Sequence, residues 1–350
     1  MVLTSAVKGR PLRGAIIGFG NVAENAHFPA WLRSPHFSVE AVVEPNLERA
    51  RKAEEVLSTV RVYQSVEKML CDIELDFVDI CTPPRFHDDL VLAACGTGLH
   101  VFCEKPLTTS LGDLAHIQEA ASRADKVVFT VNNWKHAPLW VKTRELIQEK
   151  RIGSVRSITM NVLRVSSSGG GASNWRIDPE LARGGIMIDH GWHNLYLLLA
   201  MLPEAPLFIE AKMESAPGRT SGLEETVDLV IGFPQAEARL HLTWRADCRR
   251  NFGAIVGERG SVWINDDHIL LSSKGSPPIR YDFPEALSAG SHHPEWMDYV
   301  VEDFSREIAD TRQRGTNLRE ARQCIELIEL AYRSSREGSC PMALPHPSGS

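Results

Sequence analysis

The chain has 350 residues, of which 43% are hydrophobic and 24% are charged, and its formal net charge is -7. This length suits two domains better than one core, and the composition is that of a folded globular protein. The negative charge argues against binding to nucleic acid or anionic membranes, both of which attract basic surfaces. No run approaches the ~18 apolar residues of a membrane-spanning helix, and residues 1–13 lack the apolar stretch of a signal peptide, so we expect a cytoplasmic protein.

Short apolar runs alternate with helix-like segments over residues 12–131. The runs typical of strands are 14–18, 39–43, 60–63, 77–81, 99–103 and 127–131. The segments between them with helical periodicity or composition are 21–33, 46–57, 65–71, 85–97 and 110–124. This alternation predicts an α/β Rossmann domain over residues 1–131, a doubly wound parallel sheet with helices on both faces.

Residues 132–350 follow another pattern. Helical segments are predicted at 138–148, about 190–201, 295–312 and 317–336, and the last of them is expected to pack back toward the first domain. Predicted strands are 155–165, 207–213, 227–233, 236–244, 251–256, 261–264 and 269–272. The tail from Cys340 is expected to be irregular. The pattern predicts an α+β domain with an open, mainly antiparallel sheet, which would bind substrate and mediate oligomerisation.

Seven cysteines are spread along the chain without a C-x-x-C pair. This spacing is unlike that of a disulfide framework or a zinc knuckle, and no cluster of potential ligands has metal-site spacing. We therefore predict core thiols in a reducing compartment and no catalytic metal.

The motif Gly18-Phe19-Gly20-Asn21-Val22-Ala23 follows the first predicted strand and leads into a helix. In this G-x-G-x-x-A pattern the first glycine permits a tight turn, and the second lets backbone N–H groups approach a pyrophosphate. The small third residue allows close packing of helix and strand, and the helix N-terminus adds positive partial charge. We predict that all six residues bind a dinucleotide; the alternative is an ordinary structural turn.

Glu44 ends the second predicted strand, where an acid in this kind of domain hydrogen-bonds the adenosine ribose hydroxyls. A carboxylate there repels a 2′-phosphate, so NAD is favoured over NADP as the cofactor. Arg49 and Arg51 follow closely, and either could accommodate the phosphate instead. A strand-end acid without a ligand is the other alternative.

Three further motifs stand in order along the chain: Cys81-Thr82-Pro83-Pro84-Arg85-Phe86-His87, Glu104-Lys105-Pro106 and Gly184–His193. With the glycine loop, they resemble the glucose–fructose oxidoreductase/inositol dehydrogenase (Gfo/Idh/MocA) family over about residues 12–344. The resemblance implies a Rossmann domain, an open-sheet domain and an active site in the cleft between them. It also implies hydride transfer between NAD(P) and a carbinol of a sugar, cyclitol or related polyol, in a homodimer or homotetramer formed through the second sheet.

The resemblance also assigns roles to residues after the fourth and fifth strands. Thr82, Pro83 and His87 would bind the cofactor, and Glu104 would lie near the nicotinamide ribose. Lys105 would contact the cofactor and donate to the reacting oxygen, stabilising alkoxide charge as it develops. A solvated loop lysine is the alternative.

Asp189 and His193 match the D-x-G-x-H signature of the family. A helix that begins near Asp189 would place both side chains on one face. Histidine titrates in the range needed to accept a hydroxyl proton, so we predict that His193 is the proton acceptor in oxidation. Asp189 would orient a substrate hydroxyl or the imidazole. The alternative is a satisfied core histidine in an apolar helix.

The chain departs from the family at two places. Tyr196 stands where many members carry an acid, and residues 133–138 lack the arginines found in many members at the domain junction. Asn133 and Lys135 in this second segment are predicted to contact the substrate. Both departures are expected to change substrate recognition.

Two other segments carry weaker signals. Trp175 could stack on a pyranose face and Arg176 could anchor a polar group, with a packed loop as the alternative. His292 and His293 have no chemical context in the sequence and are expected at the surface.

Three functions are consistent with these features. The leading one is an NAD-dependent sugar or cyclitol dehydrogenase. The alternatives are a glycosidase of the same fold that uses NAD transiently, and a non-catalytic dinucleotide-binding regulator. Retention of Lys105, Asp189 and His193 argues against a regulator, whereas only product analysis separates the two enzymes.

Overall fold

A computed structural model describes residues 10–57, 60–166, 174–215, 222–290 and 292–345. The chain divides into two compact units, the first formed by Met1–Asn133 with His292–Gln323 and the second by Trp134–Ser291 with Cys324–Ser350. The sequence-based boundary at 131/132 lies two residues from the first division. Residues 292–323 belong to the first unit, whereas the sequence-based limits assign them to the second domain.

The first unit is built on a parallel sheet. Its strands are β1 (Leu12–Ile17), β2 (Phe37–Val43), β3 (Arg61–Tyr63), β4 (Phe77–Ile80), β5 (His100–Cys103) and β6 (Val128–Thr130). The described strands follow the order β3-β2-β1-β4-β5-β6, and each neighbouring pair is parallel. This is the strand order of a dinucleotide-binding fold, so the predicted Rossmann domain is confirmed.

Helices connect these strands. They are α1 (Phe28–Arg33), α2 (Leu47–Val56), α3 (Val66–Asp72), α4 (His87–Gly96) and α5 (Leu111–Ala124). The side chains of Asn46, Ser65 and Ser110 accept hydrogen bonds from first-turn N–H groups, which sets where α2, α3 and α5 begin. A π-helical turn over Ala23–His27 precedes α1, so the predicted helix 21–33 is not uniform.

A mixed sheet forms the base of the second unit. Its strands are β7 (Val155–Leu163), β8 (Phe208–Glu214), β9 (Thr226–Gly232), β10 (Glu237–Thr243), β11 (Arg250–Gly257), β12 (Gly260–Asn265), β13 (His268–Ser273), β14 (Ile279–Asp282) and β15 (Met342–Ala343). The described strands follow the order β14-β13-β12-β11-β7-β10-β9-β8-β15, in which only β7 and β10 pair in parallel. The predicted mainly antiparallel sheet is confirmed. The short strands β14 and β15 were not predicted, because neither has a long alternating pattern.

The helices of the second unit include α6 (Pro138–Gln148), α7 (Pro179–Ala182) and α8 (Trp192–Met201). A π-helical turn over Met187–Gly191 leads directly into α8. Most side chains of α8 are buried, as expected for a helix that is apolar around its whole circumference. Single 3₁₀ turns cover Pro84–Phe86, Asn133–His136 and Trp175–Ile177.

The chain closes with α9 (Pro294–Ala309) and α10 (Thr316–Arg336). Phe304 of α9 packs in the aromatic core of the first unit, with ring centroids 5.6 Å from Phe37 and 5.3 Å from Phe102. The Asn317 side chain accepts a 2.7 Å hydrogen bond from the Thr130 N–H at the end of β6. Helical periodicity shows that α9 has an apolar face but not which sheet that face covers, so its assignment to the first unit could not be predicted. No described helix has the length and apolar character needed to cross a membrane.

The cysteines, each of which lies in a described segment, are all free. Cys81, Cys95, Cys103 and Cys324 are buried as predicted. The prediction was wrong for Cys71, Cys248 and Cys340, which are exposed: Cys71 lies on α3, where Met69 is the buried residue, and the other two lie outside helices and strands.

Candidate functional site

The glycine loop has the geometry required of an anion-binding turn. Gly18 has a φ of +88°, and a Cβ there would lie 3.1 Å from Cγ2 of Thr82, so both the backbone and the space require glycine. A Cβ on Gly20 would meet only Nη1 of Arg49, at 4.0 Å, so the space before this residue is open. The buried Thr82 hydroxyl has no hydrogen-bond partner among the described residues. An open backbone beside an orphaned hydroxyl fits a phosphate-containing ligand.

The other loop residues have mixed environments. Phe19 and Ala23 are buried, and Val22 packs against the same core, so their side chains hold the loop in place. Asn21 is exposed, and its Nδ2 lies 3.1 Å from Nε2 of His292. His292 is therefore a neighbour of the glycine loop that sequence reasoning missed, because its partner is far away in the chain.

Glu44 is buried, and its carboxylate accepts hydrogen bonds from the N–H groups of Phe19 and Asn46, both 2.9 Å long. Nε of Arg49 lies 3.5 Å from the same carboxylate. Glu44 thus fixes the glycine loop, a role that the ribose hypothesis did not include. Its position at the end of β2 is nevertheless the one at which the sequence places an adenosine-binding acid.

His87 connects the loops that follow β4 and β5. The ring is buried, with Nδ1 2.8 Å from the Pro106 carbonyl oxygen and Nε2 2.8 Å from the Thr82 carbonyl oxygen. Burial lowers the pKa of His87, although both carbonyls oppose this shift. A neutral imidazole donates through one nitrogen only. At any moment, therefore, His87 donates a hydrogen bond to the carbonyl of one loop and not to that of the other. Its predicted contact with the cofactor stays a prediction, as do those of Thr82 and Pro83.

His27 lies between two carboxylates at the carboxyl ends of β4 and β5. Nδ1 is 2.9 Å from Asp79 and Nε2 is 2.9 Å from Glu104. His27, Asp79 and Cys81 each place one potential metal-ligand atom within 4.8 Å of the other two, a proximity that their spacing in the chain did not reveal. The short His27–carboxylate distances are those of charge-assisted hydrogen bonds, and a protonated imidazole donating from both nitrogens accounts for them.

The charges of this group are coupled. Burial opposes a charge on His27, but the Asp79 carboxylate raises the pKa of the imidazole well above its ordinary value. Burial also acts to raise the pKa of Glu104, yet the hydrogen bond and charge of His27, with the charge of Lys105, bring it below its ordinary value. Burial raises the pKa of the Cys81 thiol far above its ordinary value, so this thiol stays protonated at neutral pH.

His193 lies near the start of α8 and is buried. Its Nδ1 is 2.8 Å from Oη of Tyr196, which also accepts a 3.0 Å hydrogen bond from the Trp134 N–H. The Trp134 and His193 rings stack, with centroids 5.2 Å apart and planes 21° apart. Nζ of Lys135 lies 5.9 Å from the centroid of the Tyr196 ring. The two departures from the family are therefore neighbours in the structure, and both lie beside the predicted base.

Asp189 lies in the π-helical turn before α8. Its carboxylate is 3.7 Å from Nε of Arg176 and 3.6 Å from Nε2 of His190. The guanidinium of Arg176 also lies 4.3 Å from the centroid of the Trp175 ring. The structure thus places Trp175, Arg176 and Asp189 close together, and their contacts with a substrate stay a prediction. The one-face argument assumed an α-helix from Asp189, whereas the π-helical turn holds more residues per turn.

Sequence reasoning missed Glu224, which holds the turn before Asp189. Its carboxylate accepts from the Gly185 N–H at 2.7 Å, the Met187 N–H at 3.1 Å and the Tyr332 hydroxyl at 2.8 Å. A Cβ on Gly185 would lie 2.0 Å from the Glu224 carbonyl oxygen, so only glycine fits. Burial raises the pKa of Glu224. The glycine pair predicts a close approach here but not the residue that approaches.

Two family models match the chain. Residues 12–132 match one described as "Oxidoreductase family, NAD-binding Rossmann fold", and residues 140–263 match one described as "GFO/IDH/MocA C-terminal domain". Together these matches span more than two thirds of the chain.

Similar proteins include a D-glucoside 3-dehydrogenase of Escherichia coli, 30% identical over 55% of this chain and 54% of that protein. A D-xylose 1-dehydrogenase (NADP(+)) of Haloferax volcanii is 34% identical over 49% of this chain and 52% of that protein. The chain spans about half the length of these curated relatives.

Solved structures share the fold over nearly the whole chain. An aldose-aldose oxidoreductase from Caulobacter crescentus has a TM-score of 0.81 and 21% identity, covering 96% of this chain and 100% of that one. An inositol dehydrogenase homologue from Azotobacter vinelandii, complexed with NAD+, has a TM-score of 0.82 and 20% identity, covering 98% and 100%. The family models and this shared fold lead to one assignment. The chain belongs to the Gfo/Idh/MocA oxidoreductase family.

Proposed function

We propose that the protein is an NAD-dependent dehydrogenase that oxidises or reduces a carbinol of a sugar, cyclitol or related polyol. The observation that supports this most strongly is the environment of His193. Tyr196 holds Nδ1 of its ring and Trp134 stacks on it, so the imidazole has a defined orientation. A base oriented through one ring nitrogen by a second group is the arrangement that proton abstraction requires. The named dehydrogenases among the relatives support the same class of reaction.

The residues that would hold the dinucleotide are the glycine loop 18–23, Glu44, Thr82, Pro83, Glu104 and Lys105. When bound, the nicotinamide supplies the hydride acceptor for oxidation. Lys105 would donate to the substrate oxygen and stabilise its developing negative charge. We assign the Nδ1–H tautomer to His193, donating to Tyr196, which leaves Nε2 as the nitrogen that accepts the hydroxyl proton. Asp189, with Arg176, Trp175, Asn133 and Lys135, would orient the substrate.

A panel of sugars and cyclitols tests the proposal. We expect one group of polyols to raise the melting temperature further in the presence of NAD, because only bound ligands stabilise the folded state. The same compounds should be oxidised with one NADH formed for each carbonyl product. Cleavage of a glycoside without net NADH would favour the glycosidase. Tight NAD binding without turnover of any compound would favour the regulator.

We propose that NAD is preferred over NADP. Glu44 places a buried carboxylate beside the loop, which disfavours a 2′-phosphate, and we expect NAD to bind at least ~10-fold more tightly. Fluorescence titration of both cofactors measures this ratio. The Arg49→Ala variant should increase this preference for NAD, since Arg49 is the cation beside Gly20. The control Arg51→Ala, at an exposed arginine, should leave the ratio unchanged. Equal or tighter binding of NADP would show that Arg49 outweighs the acid.

We also propose that the outer face of the second sheet joins copies of the chain. Trp263 is 54% exposed and lies between Ala254 and Leu270 on the neighbouring strands, where an aromatic residue suits the centre of an interface. Light scattering after size-exclusion chromatography should show a dimer or tetramer. Trp263→Asp should weaken association by roughly 30-fold or more, the effect of losing a central contact of ~2 kcal/mol. Tyr299→Asp, at an exposed aromatic of α9, is the matched control, and a monomeric wild type would refute the assembly.

A further inference from the structure

The Asp79–His27–Glu104 group contains a buried histidine that the proposed mechanism does not use. Asp79 is fully buried and accepts three hydrogen bonds, from Nδ1 of His27 at 2.9 Å, Nε1 of Trp31 at 2.6 Å and Sγ of Cys81 at 3.4 Å. These donors come from α1, from the π-helical turn before it and from the end of β4. Asp79 therefore fixes the plane and position of the His27 ring.

Glu104 links this ring to the backbone of Lys105. One carboxylate oxygen lies 2.9 Å from Nε2 of His27, and the other accepts a 3.1 Å hydrogen bond from the Lys105 N–H. With both oxygens engaged, the carboxylate cannot rotate without losing one of these contacts. The position of the chain at Lys105 thus depends on His27 through a single intervening side chain.

We propose that His27 is a positioning residue for hydride transfer, which holds the Glu104 carboxylate in place as the acceptor of the Lys105 N–H and thereby orders the backbone from which Lys105 extends. This inference rests on the dehydrogenase function proposed above. Both ring nitrogens of His27 face carboxylates, one of Asp79 and one of Glu104, so its effect on the reaction passes through Glu104.

The charges around His27 determine what its removal would do. The titratable and charged groups that face this network are Asp79 and Cys81 at β4, Cys103, Glu104 and Lys105 at β5, and His87 and Asp88 of α4. When His27 is protonated and both of its carboxylate partners are ionised, the three groups together carry a net charge of about -1. Without the imidazolium, two carboxylates would remain in a buried site with no cation between them. The pKa of Glu104 must then rise.

The pH profile of His27→Gln tests this step. Because the pKa of Glu104 lies below its ordinary value in the wild type, its protonation does not limit kcat near neutrality. In His27→Gln the raised pKa of Glu104 should add an acid limb to the pH profile of kcat. At the acid end of this profile kcat should fall by up to ~100-fold, and it should recover as the pH rises and Glu104 ionises. NAD affinity, measured by titration calorimetry, should change much less. His100→Gln, at a different buried histidine that lies on β5, is the matched control and should add no such limb.

A compensating variant separates charge from packing. In Asp79→Asn/His27→Gln one carboxylate and the imidazolium are both lost, so the net charge near Glu104 returns to that of the wild type. The acid limb should therefore move back toward lower pH, although the packing is altered further. A structural role alone predicts the opposite, since the second substitution would add to the damage.

Glu104→Gln keeps the experiment decisive if the His27 variants do not fold. It retains a hydrogen-bond acceptor for Lys105 but cannot carry the charge, so kcat should fall without recovery at higher pH. Isotope-edited infrared spectra of glutamate carboxyl groups, with Glu104→Gln identifying the signal, should show Glu104 ionised in the wild type at pH 4.5, its ordinary pKa. A protonated Glu104 there, or a wild-type pH profile in His27→Gln, would overturn the inference. Absence of dehydrogenase turnover in the wild type would instead defeat the proposed function, since the infrared measurement needs no turnover.

Discussion

Lys105→Met is expected to fold, to bind NAD and to lose most of its turnover. Methionine matches the length of the lysine side chain but has neither its charge nor its donors. Removing one well-placed donor to a developing oxyanion typically costs ~2.7–4 kcal/mol, so kcat should fall by roughly 10²–10³-fold. Steady-state kinetics with NAD and the best polyol, together with cofactor titration, measure both effects.

The structure explains why this variant should leave the fold intact. The backbone on one side of Lys105 is held by the Glu104 carboxylate, and the Pro106 carbonyl on the other side lies 2.8 Å from His87. Neither contact uses the lysine side chain. Lys212→Met makes the same replacement at a lysine that is 65% exposed on β8, and it should retain wild-type kinetics. If Lys105→Met stays within a few-fold of wild type, the lysine has no part in the mechanism.

The first unit was the part of the fold that the sequence predicted best. Strands β4, β5 and β6 are buried along their whole length and therefore appear as largely apolar runs, and β4 was predicted at 77–81 against Phe77–Ile80 in the structure. The glycine pattern also predicted a tight turn. The positive φ of Gly18 is a property of that turn alone, so this residue could be placed from its immediate neighbours in sequence. Both signals depend on residues that are close in sequence.

Pairings between distant residues could not be predicted. His27 and Glu104 are 77 positions apart, and nothing in either segment indicates that they share a hydrogen bond. Tyr196 was identified as unusual because an acid was expected there, but its contact with the Trp134 N–H depends on how the chain folds back. The surface prediction for His293 was wrong: the ring is buried and stacks on Trp296 with centroids 3.7 Å apart.

Irregular helices were a second source of error. The π-helical turn Ala23–His27 lies inside a segment predicted as ordinary helix, and Met187–Gly191 overlaps the predicted start of another helix. A single inserted residue changes which side chains share a face, so the apolar period gives little warning of it. Each turn carries a residue of the candidate sites, His27 in one and Asp189 in the other.

The largest effect is expected for His193→Asn. Asparagine approximates part of the imidazole and can still hydrogen-bond Tyr196, but it cannot accept a proton from the substrate hydroxyl. Hydride loss without proton loss would leave a protonated carbonyl, so the rate should fall by roughly 10²–10⁴-fold, the usual effect of losing a general base. The variant should bind NAD like the wild type, and its remaining activity should rise with pH as hydroxide replaces the base.

Tyr196→Phe is the companion that distinguishes orientation of His193 from its chemistry. The ring that packs in the core stays, but Nδ1 of His193 and the Trp134 N–H lose their shared partner, which should cost ~1–3 kcal/mol of unfolding free energy. Because the imidazole remains, kcat should fall less than in His193→Asn and keep its wild-type pH dependence in shape. A His193→Asn protein that fails to fold would support the core-histidine alternative. One that folds and keeps both the rate and the pH profile would assign proton acceptance to another residue, and Lys105 would be the next candidate to test.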